Sequence, residues 1–291
     1  MKTKIFFTIV LYVTVKSTIA QEKINFINTS NIDFTETLNQ AKEEKKLVFV
    51  YFTTDGCAPC IRMAREVFPD TELVDYLNSN FVCVKSKWSK NNVQDSELRN
   101  KYNIRGNPNF VVINSKGDVI HRMPRAAMGS GYKSKDELIQ FGKEALGSEN
   151  NYAAYKSKFE NGDLSYESVS AYLEFLPPIA MHVVDGDYDN ETQRVLDKYF
   201  TTQAEDSYSS ENNWHIISNY VDNASTEPFH YLLKNSEVFY EKYGRDVVDK
   251  RIFQVLEWYG DYGDVLRTKK TKKEMKNWNY PQIKAFLKQI E

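Results

Sequence analysis

The spacing of hydrophobic positions changes along this chain, and the changes divide it. Residues 24 to 26, INF, read as a short strand. The following DFTETLNQAKEEKK places Phe34, Leu38 and Ala41 at helical spacing, with charges on the opposite face. LVFVYFT, residues 47 to 53, is apolar without alternation, the pattern of a strand covered on both faces. IRMAREVF resumes helical character up to Pro69, and Asp70 predicts the N-cap of a second short helix in DTELVDYLNSN. FVCVKSKW, 81 to 88, predicts a strand, and DSELRNKY a short helix capped by Asp95. NFVVI and DVIHRM flank Ser115, Lys116 and Gly117, which predicts a β-hairpin. Ser134 and Glu137 form a capping box opening SKDELIQFGKEAL.

The predicted order alternates strands with helices and ends in a hairpin and a helix. A mixed sheet with helices on both faces packs such an order, because the crossovers are long enough for right-handed parallel connections. From about residue 150 the strand pattern stops. YESVSAYLEFL, ETQRVLDKYF, ENNWHIISNYV, FHYLLKNSEVFYEKY, RDVVDKRIFQVLEWY and YPQIKAFLKQI all read as amphipathic helices, with a further cap signal at Thr271 and Glu274. Gly147 to Asn151 is the expected linker. The expected fold is α/β over residues 21 to 148, followed by an all-α domain over 151 to 291.

A chain of 291 residues with 41% hydrophobic content exceeds the usual single domain, in keeping with that division. A net charge of -2 favours neither a nucleic-acid polyanion nor an anionic membrane surface. The basic run RTKKTKKEMK, 267 to 276, reads as a solvated helix face. Aromatic residues of the helical half, Trp214, Tyr220, Phe239, Tyr240 and Trp258 among them, read mostly as core. At the N-terminus, Lys2 and Lys4 precede an apolar run from Ile5 to Val15 and then Thr18, Ile19 and Ala20. That layout predicts an export signal over residues 1 to 20, cut near Ala20. The run is shorter than the roughly 20 residues of a membrane-spanning helix.

Export would place the cysteines where thiols oxidise. Three cysteines are too few for a disulfide scaffold, and a pair spaced like Cys57 and Cys60 closes too small a loop to stabilise much. Redox work, a metal site and a small structural disulfide stay open on spacing alone. A zinc site takes about four ligands, and only Cys83 and the scattered His121, His182, His215 and His230 remain, so no metal is expected. Cys83 shares a strand face with Phe81 and reads as a buried core thiol. His121 reads as a surface or half-buried strand residue.

In C-x-x-C at a helix start, Cys57 would occupy the cap, where unpaired N–H groups and the helix dipole favour a thiolate. Cys60 would lie one turn in, more buried. Pro59 suits the first turn, where its missing N–H costs nothing. Far along the chain, YNIRGNPNFVVI brings Pro108 one residue ahead of a strand. An apolar strand ending in C-x-x-C, a strand and helix, and then Y-x-I-x-G-x-P entering a hairpin resembles the thioredoxin superfamily over residues 24 to 147. The likeness is to exported bacterial thioredoxin-like domains, including the soluble reductase domain of transmembrane disulfide reductases.

The resemblance implies that Pro108 is cis and faces the cysteines, and that Asn107 offers backbone hydrogen bonds to a substrate's extended chain. It further implies a thiol-disulfide oxidoreductase acting on protein disulfides, periplasmic, without a cofactor, and recharged by a membrane-bound electron donor. The chain departs from thioredoxin at three points. Tyr51 stands where that family member has a buried aspartate, Gly56 where it has tryptophan, and Ala58 where it has glycine. Proton transfer at Cys60 would then need water or another group, with Lys85 on the neighbouring strand the candidate. The alternative function is a binding module or chaperone-like adaptor, with the thioredoxin fold as scaffold and the helical half gripping partners. A redox sensor with the helical half as output is a third reading.

Overall fold

The computed structural model describes residues 23–29, 33–89, 93–104, 106–124, 131–176, 191–224 and 226–261, with side chains as far as 256. The expected signal at 1 to 20, His182, the Trp258 side chain, the basic run 267 to 276 with its cap at Thr271, and the helix expected at 280 to 290 lie outside them.

The first part runs β1 (Ile27–Asn28), α1 (Phe34–Glu44), β2 (Leu47–Thr54), α2 (Ala58–Glu66), α3 (Thr71–Asn80), β3 (Phe81–Trp88), α4 (Val93–Lys101), β4 (Asn109–Ile113), β5 (Val119–Arg122) and α5 (Lys135–Leu146). The strands form one mixed sheet in the order β1-β3-β2-β4-β5. β1, β3 and β2 run parallel, while β4 is antiparallel to β2 and β5 antiparallel to β4.

β2 lies at the centre, and successive side chains point to opposite faces. Phe49 and Tyr51 join Phe81, Cys83, Phe110 and Val112 under α2, α3 and α5. Val48, Val50 and Phe52 join Val82, Val84, Val111 and Ile113 under α1 and α4. Both faces are covered, so both alternating sets must be apolar. This is the physical reason for the unbroken run LVFVYF.

The helix signals act as expected at several ends. Asp70 accepts a hydrogen bond from the Leu73 N–H at 3.2 Å. Ser134 and Glu137 complete a reciprocal capping box at the start of α5. Two local expectations are corrected. The first strand is Ile27–Asn28 and not residues 24 to 26, because Val84 and Lys85 on β3 pair with 27 and 28 while Ile24 turns into the core. Asp95 is no cap, because α4 already begins at Val93. Its carboxylate is fully buried and accepts hydrogen bonds from Ser86 Oγ at 2.7 Å and from Thr29 Oγ1, tying α4 to β3 and to the end of β1.

Beyond α5 the described elements are helical: α6 (Tyr152–Glu160), α7 (Tyr166–Glu174), α8 (Glu191–Phe200), a 3-10 turn (Glu205–Ser209), α9 (Glu211–Tyr220), α10 (Glu227–Lys234), α11 (Ser236–Tyr243) and α12 (Arg245–Asp261). They share a separate core that includes Tyr172, Trp214, Tyr220, Phe229 and Phe239, so these aromatic side chains fill the interior. The segment FHYLLKNSEVFYEKY reads as one helix but divides at Asn235, whose side-chain N–H donates back to the Tyr231 carbonyl at 3.1 Å. Arg251 is buried against Asp222 at 3.0 Å and donates to the carbonyls of Ile217 and Val221, closing α12 onto α9.

The connection at 147 to 151 is a hydrogen-bonded corner. Asn151 Nδ2 donates to the Gly147 carbonyl at 2.6 Å, and its Oδ1 caps α6. That corner swings Tyr152 under β5. Here the expectation for His121 is corrected: its side chain is fully buried between Phe141 and Phe175, because the start of α6 and the end of α7 cover that part of β5.

Candidate active site

After β2 the chain must turn sharply from strand into helix. Gly56 takes φ 73°, the left-handed region that glycine enters at little cost. Cys57 then caps α2: its Sγ accepts from the Cys60 N–H at 3.3 Å, and its carbonyl from the Ile61 N–H at 3.0 Å. The sulfur takes the place of a capping oxygen, beside unpaired N–H groups at the positive end of the helix. A thiolate at that point is stabilised relative to the thiol. Pro59 sits in the first turn. Cys57 and Cys60 are joined in a disulfide, and with 9% against 4% exposure Cys57 is the less enclosed residue of the two.

A second wall comes from the loop ahead of β4. The Asn107–Pro108 bond is cis. β2 ends and antiparallel β4 begins at the same edge of the sheet, where Phe52 pairs with Asn109. The prolyl loop is thereby delivered next to the C-x-x-C turn. Gly131, at φ 62°, shows how closely they meet: a Cβ there would lie 3.1 Å from Pro59 Cγ and 3.5 Å from Pro108 Cδ. Both prolines press on one glycine, and the two loops enclose one end of the sheet.

Below the disulfide the floor is aromatic. Tyr51 is buried, stacked on Phe110 at 5.1 Å and edge-on to Phe68 at 5.1 Å. Burial pushes its phenol above the ordinary tyrosine value, so Tyr51 carries no charge at neutral pH. Lys85 pairs with Tyr51 in the parallel register of β2 and β3 and is half-buried. Its ammonium makes no hydrogen bond among the described residues, so no contact carries it to Cys60.

Cys83 lies on the same face, fully enclosed, with its thiol donating to the Leu77 carbonyl at 3.8 Å. Burial pushes that thiol up to about 12. Among the described residues, no group of three His, Cys, Asp or Glu is placed to hold a metal.

Periodicity does not set Arg99 apart from any solvated arginine on a polar helix. In space it faces the loop. Its Nη2 donates to the Thr53 carbonyl and to Asn107 Oδ1, each at 2.8 Å.

Residues 34 to 146 match the family model described as a thioredoxin-like domain. Through this domain the chain belongs to the thioredoxin-like family. The solution structure of a candidate disulphide-isomerase from Bacteroides thetaiotaomicron is 34% identical, with 45% of this chain covering 99% of that one at a TM-score of 0.37. The oxidised DsbD C-terminal domain of Neisseria meningitidis is 20% identical, with 41% of this chain covering 97% of that one at a TM-score of 0.33. The thioredoxin-related protein DsbJ of Chlamydia pneumoniae is 24% identical over 116 residues, 37% of this chain. The match spans 33% of that relative's own length. All three likenesses fall short of half of this chain. No helix among the described residues is long and apolar enough to cross a membrane.

Proposed function

We propose that this protein is an exported thiol-disulfide oxidoreductase that reduces or isomerises disulfides in other proteins. The observation that supports it most is the placement of Cys57 at the cap of α2, in the turn whose Pro59 meets the Pro108 loop at Gly131. A thiol at a helix start is ionised near neutral pH, and the prolyl loop beside it offers an extended client chain a place to pair. Residues 21 to 148 form the redox domain in this reading, and 151 to 291 a helical domain whose start, at Tyr152, meets β5 at His121.

The chemistry needs no group beyond the chain's sulfurs. In the reduced state the Cys57 thiolate attacks one sulfur of a client disulfide. The client S–S bond breaks, its other sulfur leaves as a thiolate, and a mixed disulfide joins Cys57 to the client. Cys60, deprotonated, attacks Cys57 Sγ and expels the second client thiolate. Two electrons pass to the client, and Cys57 and Cys60 end as the disulfide seen in the structure. Another dithiol must return two electrons and two protons. In an oxidising compartment a membrane-bound donor supplies them.

With Tyr51 uncharged and aromatic, the proton leaving Cys60 passes to solvent water, and Lys85 acts through its positive field. Asn107 and Pro108 bind the client backbone.

The test is Cys60→Ala in the full chain. It is expected to accumulate client proteins joined through Cys57 and released by dithiothreitol. A variant that holds partners equally well after both cysteines are replaced would overturn the reading in favour of a non-covalent adaptor.

A further inference from the structure

We propose that Arg99 is a positioning residue for this chemistry: its guanidinium fixes Asn107, the residue before the cis-proline, to the end of the strand that carries the redox pair. The proposal rests on the reading of the site as a thiol-disulfide exchange centre. Hydrogen bonding between β2 and β4 stops at the Phe52 and Asn109 pair, so Thr53 passes beyond the end of its antiparallel partner. Arg99 fills that gap. One nitrogen, Nη2, bridges the Thr53 carbonyl and Asn107 Oδ1, and the guanidinium lies over the Phe52 ring at 5.5 Å.

This placement is costly for an arginine. The side chain is half-buried, and its buried Nε has no hydrogen-bond partner among the described residues. Burial also lowers its pKa, a change that Asp95 one turn earlier opposes. An arginine serving only the solubility of α4 would gain by extending into water. The charge instead sits at the end of β2, in the field of the Asp95 carboxylate that Ser86 anchors to β3.

The consequence concerns client docking. Asn107 follows Gly106 ahead of β4, outside any strand, and glycine there leaves the backbone permissive. A loop that must present backbone N–H and carbonyl groups to an extended peptide works best when it is rigid before binding. Arg99 supplies that rigidity through the Asn107 side chain and leaves the Asn107 backbone for the client. Both bonds come from one nitrogen, so the ammonium of lysine can replace them only in part: it lacks the flat guanidinium that lies over Phe52 and holds that nitrogen in place.

The experiment measures kcat and KM for reduction of a disulfide-bridged peptide, beside the rate of Cys57 with a small aromatic disulfide that needs no backbone pairing. For Arg99→Met, KM for the peptide is expected to rise about tenfold, the loss of a charge-assisted hydrogen bond. The rate with the small disulfide and the pH profile of Cys57 alkylation stay as in the wild type. Asn107→Ala gives the same loss, the double variant loses no more than either single one, and Arg99→Lys recovers part of it.

Equal losses with both disulfides, or additive losses in the double variant, would overturn the proposal. A wild-type protein inert towards the peptide would instead sink the reading of the site. Amide hydrogen exchange then decides Arg99 separately: Arg99→Met should speed exchange at Gly106, Asn107 and Asn109 and leave α5 unchanged, and unchanged exchange at the loop would refute it.

Discussion

The backbone N–H of Tyr152 donates to Nδ1 of His121 at 3.3 Å, across the junction between the sheet and the helical half. On the opposite side of the ring Nε2 lies 3.2 Å from Glu144 Oε2. Nδ1 accepts, so the ring proton sits on Nε2 and points at the carboxylate. One neutral imidazole thereby ties β5 to α5 and to the first turn of α6, packed between Phe141 and Phe175.

This arrangement makes the junction sensitive to acid. Burial lowers the His121 pKa from 6.5, and Glu144 opposes the shift. Because the folded value is the lower one, the unfolded chain takes up the proton first as pH falls. The stabilisation is complete above the unfolded value and is lost as pH drops through the folded one. Thermal unfolding followed from about pH 7.5 to about pH 5 should show a falling Tm. His121→Asn keeps an acceptor for the Tyr152 N–H and does not titrate, so its Tm should fall less. Parallel curves for the two proteins would show that other groups carry the effect.

Gly131 is the second point of sensitivity. Its positive φ disfavours any side chain, and a Cβ would press on Pro59 and Pro108 together. Gly131→Val should lower stability by about 1 to 3 kcal/mol. By spreading the two loops it should also lower kcat/KM for a peptide disulfide about ten- to a hundredfold. Reaction of Cys57 with a small disulfide, followed by absorbance, should change far less.

Cys83 should be silent towards alkylation. Its thiol is enclosed and shifted to about 12, whereas Cys57 sits at a helix start. After reduction, iodoacetamide at neutral pH should label Cys57 first, and Cys83 only in denaturant. Mass spectrometry of the digest reads this directly, and early label on Cys83 would contradict the enclosure described for it.

Tyr51 is a packing residue in this chain, and restoring the aspartate of thioredoxin should harm it. Tyr51→Asp removes the stacked contact with Phe110 and the edge contact with Phe68, and leaves a carboxyl group in an apolar floor. The loss should reach about 3 to 5 kcal/mol in urea unfolding. Tyr51→Phe keeps the ring contacts and should cost about 1 kcal/mol or less. An aspartate variant as stable as the wild type would mean that the floor admits water.

Local chemistry wrote much of this structure into the chain. The unbroken apolar run at β2, the caps at Asp70 and Ser134, and the helical start at Cys57 depend on neighbours a few residues away, so period and residue type specify them. The C-x-x-C turn was legible for the same reason, and Pro108 through the resemblance of its loop to the thioredoxin superfamily. Asp95 and His121 were not, because an aspartate near a helix start and a histidine on a short strand look alike whether they face water or a partner from a distant segment. Burial of Asp95 follows from the hydroxyls of Thr29, just after β1, and of Ser86 on β3, and burial of His121 from the corner at Asn151 that brings Tyr152 across it. Arg99 belongs with them, since its partners come from the end of β2 and from the prolyl loop. Sequence by itself determined most of the elements and the cysteine pair at the start of α2. Only tertiary structure decided which polar groups lose water and what they bond to instead, because desolvation depends on segments that meet when the sheet assembles and not on the order of residues along the chain.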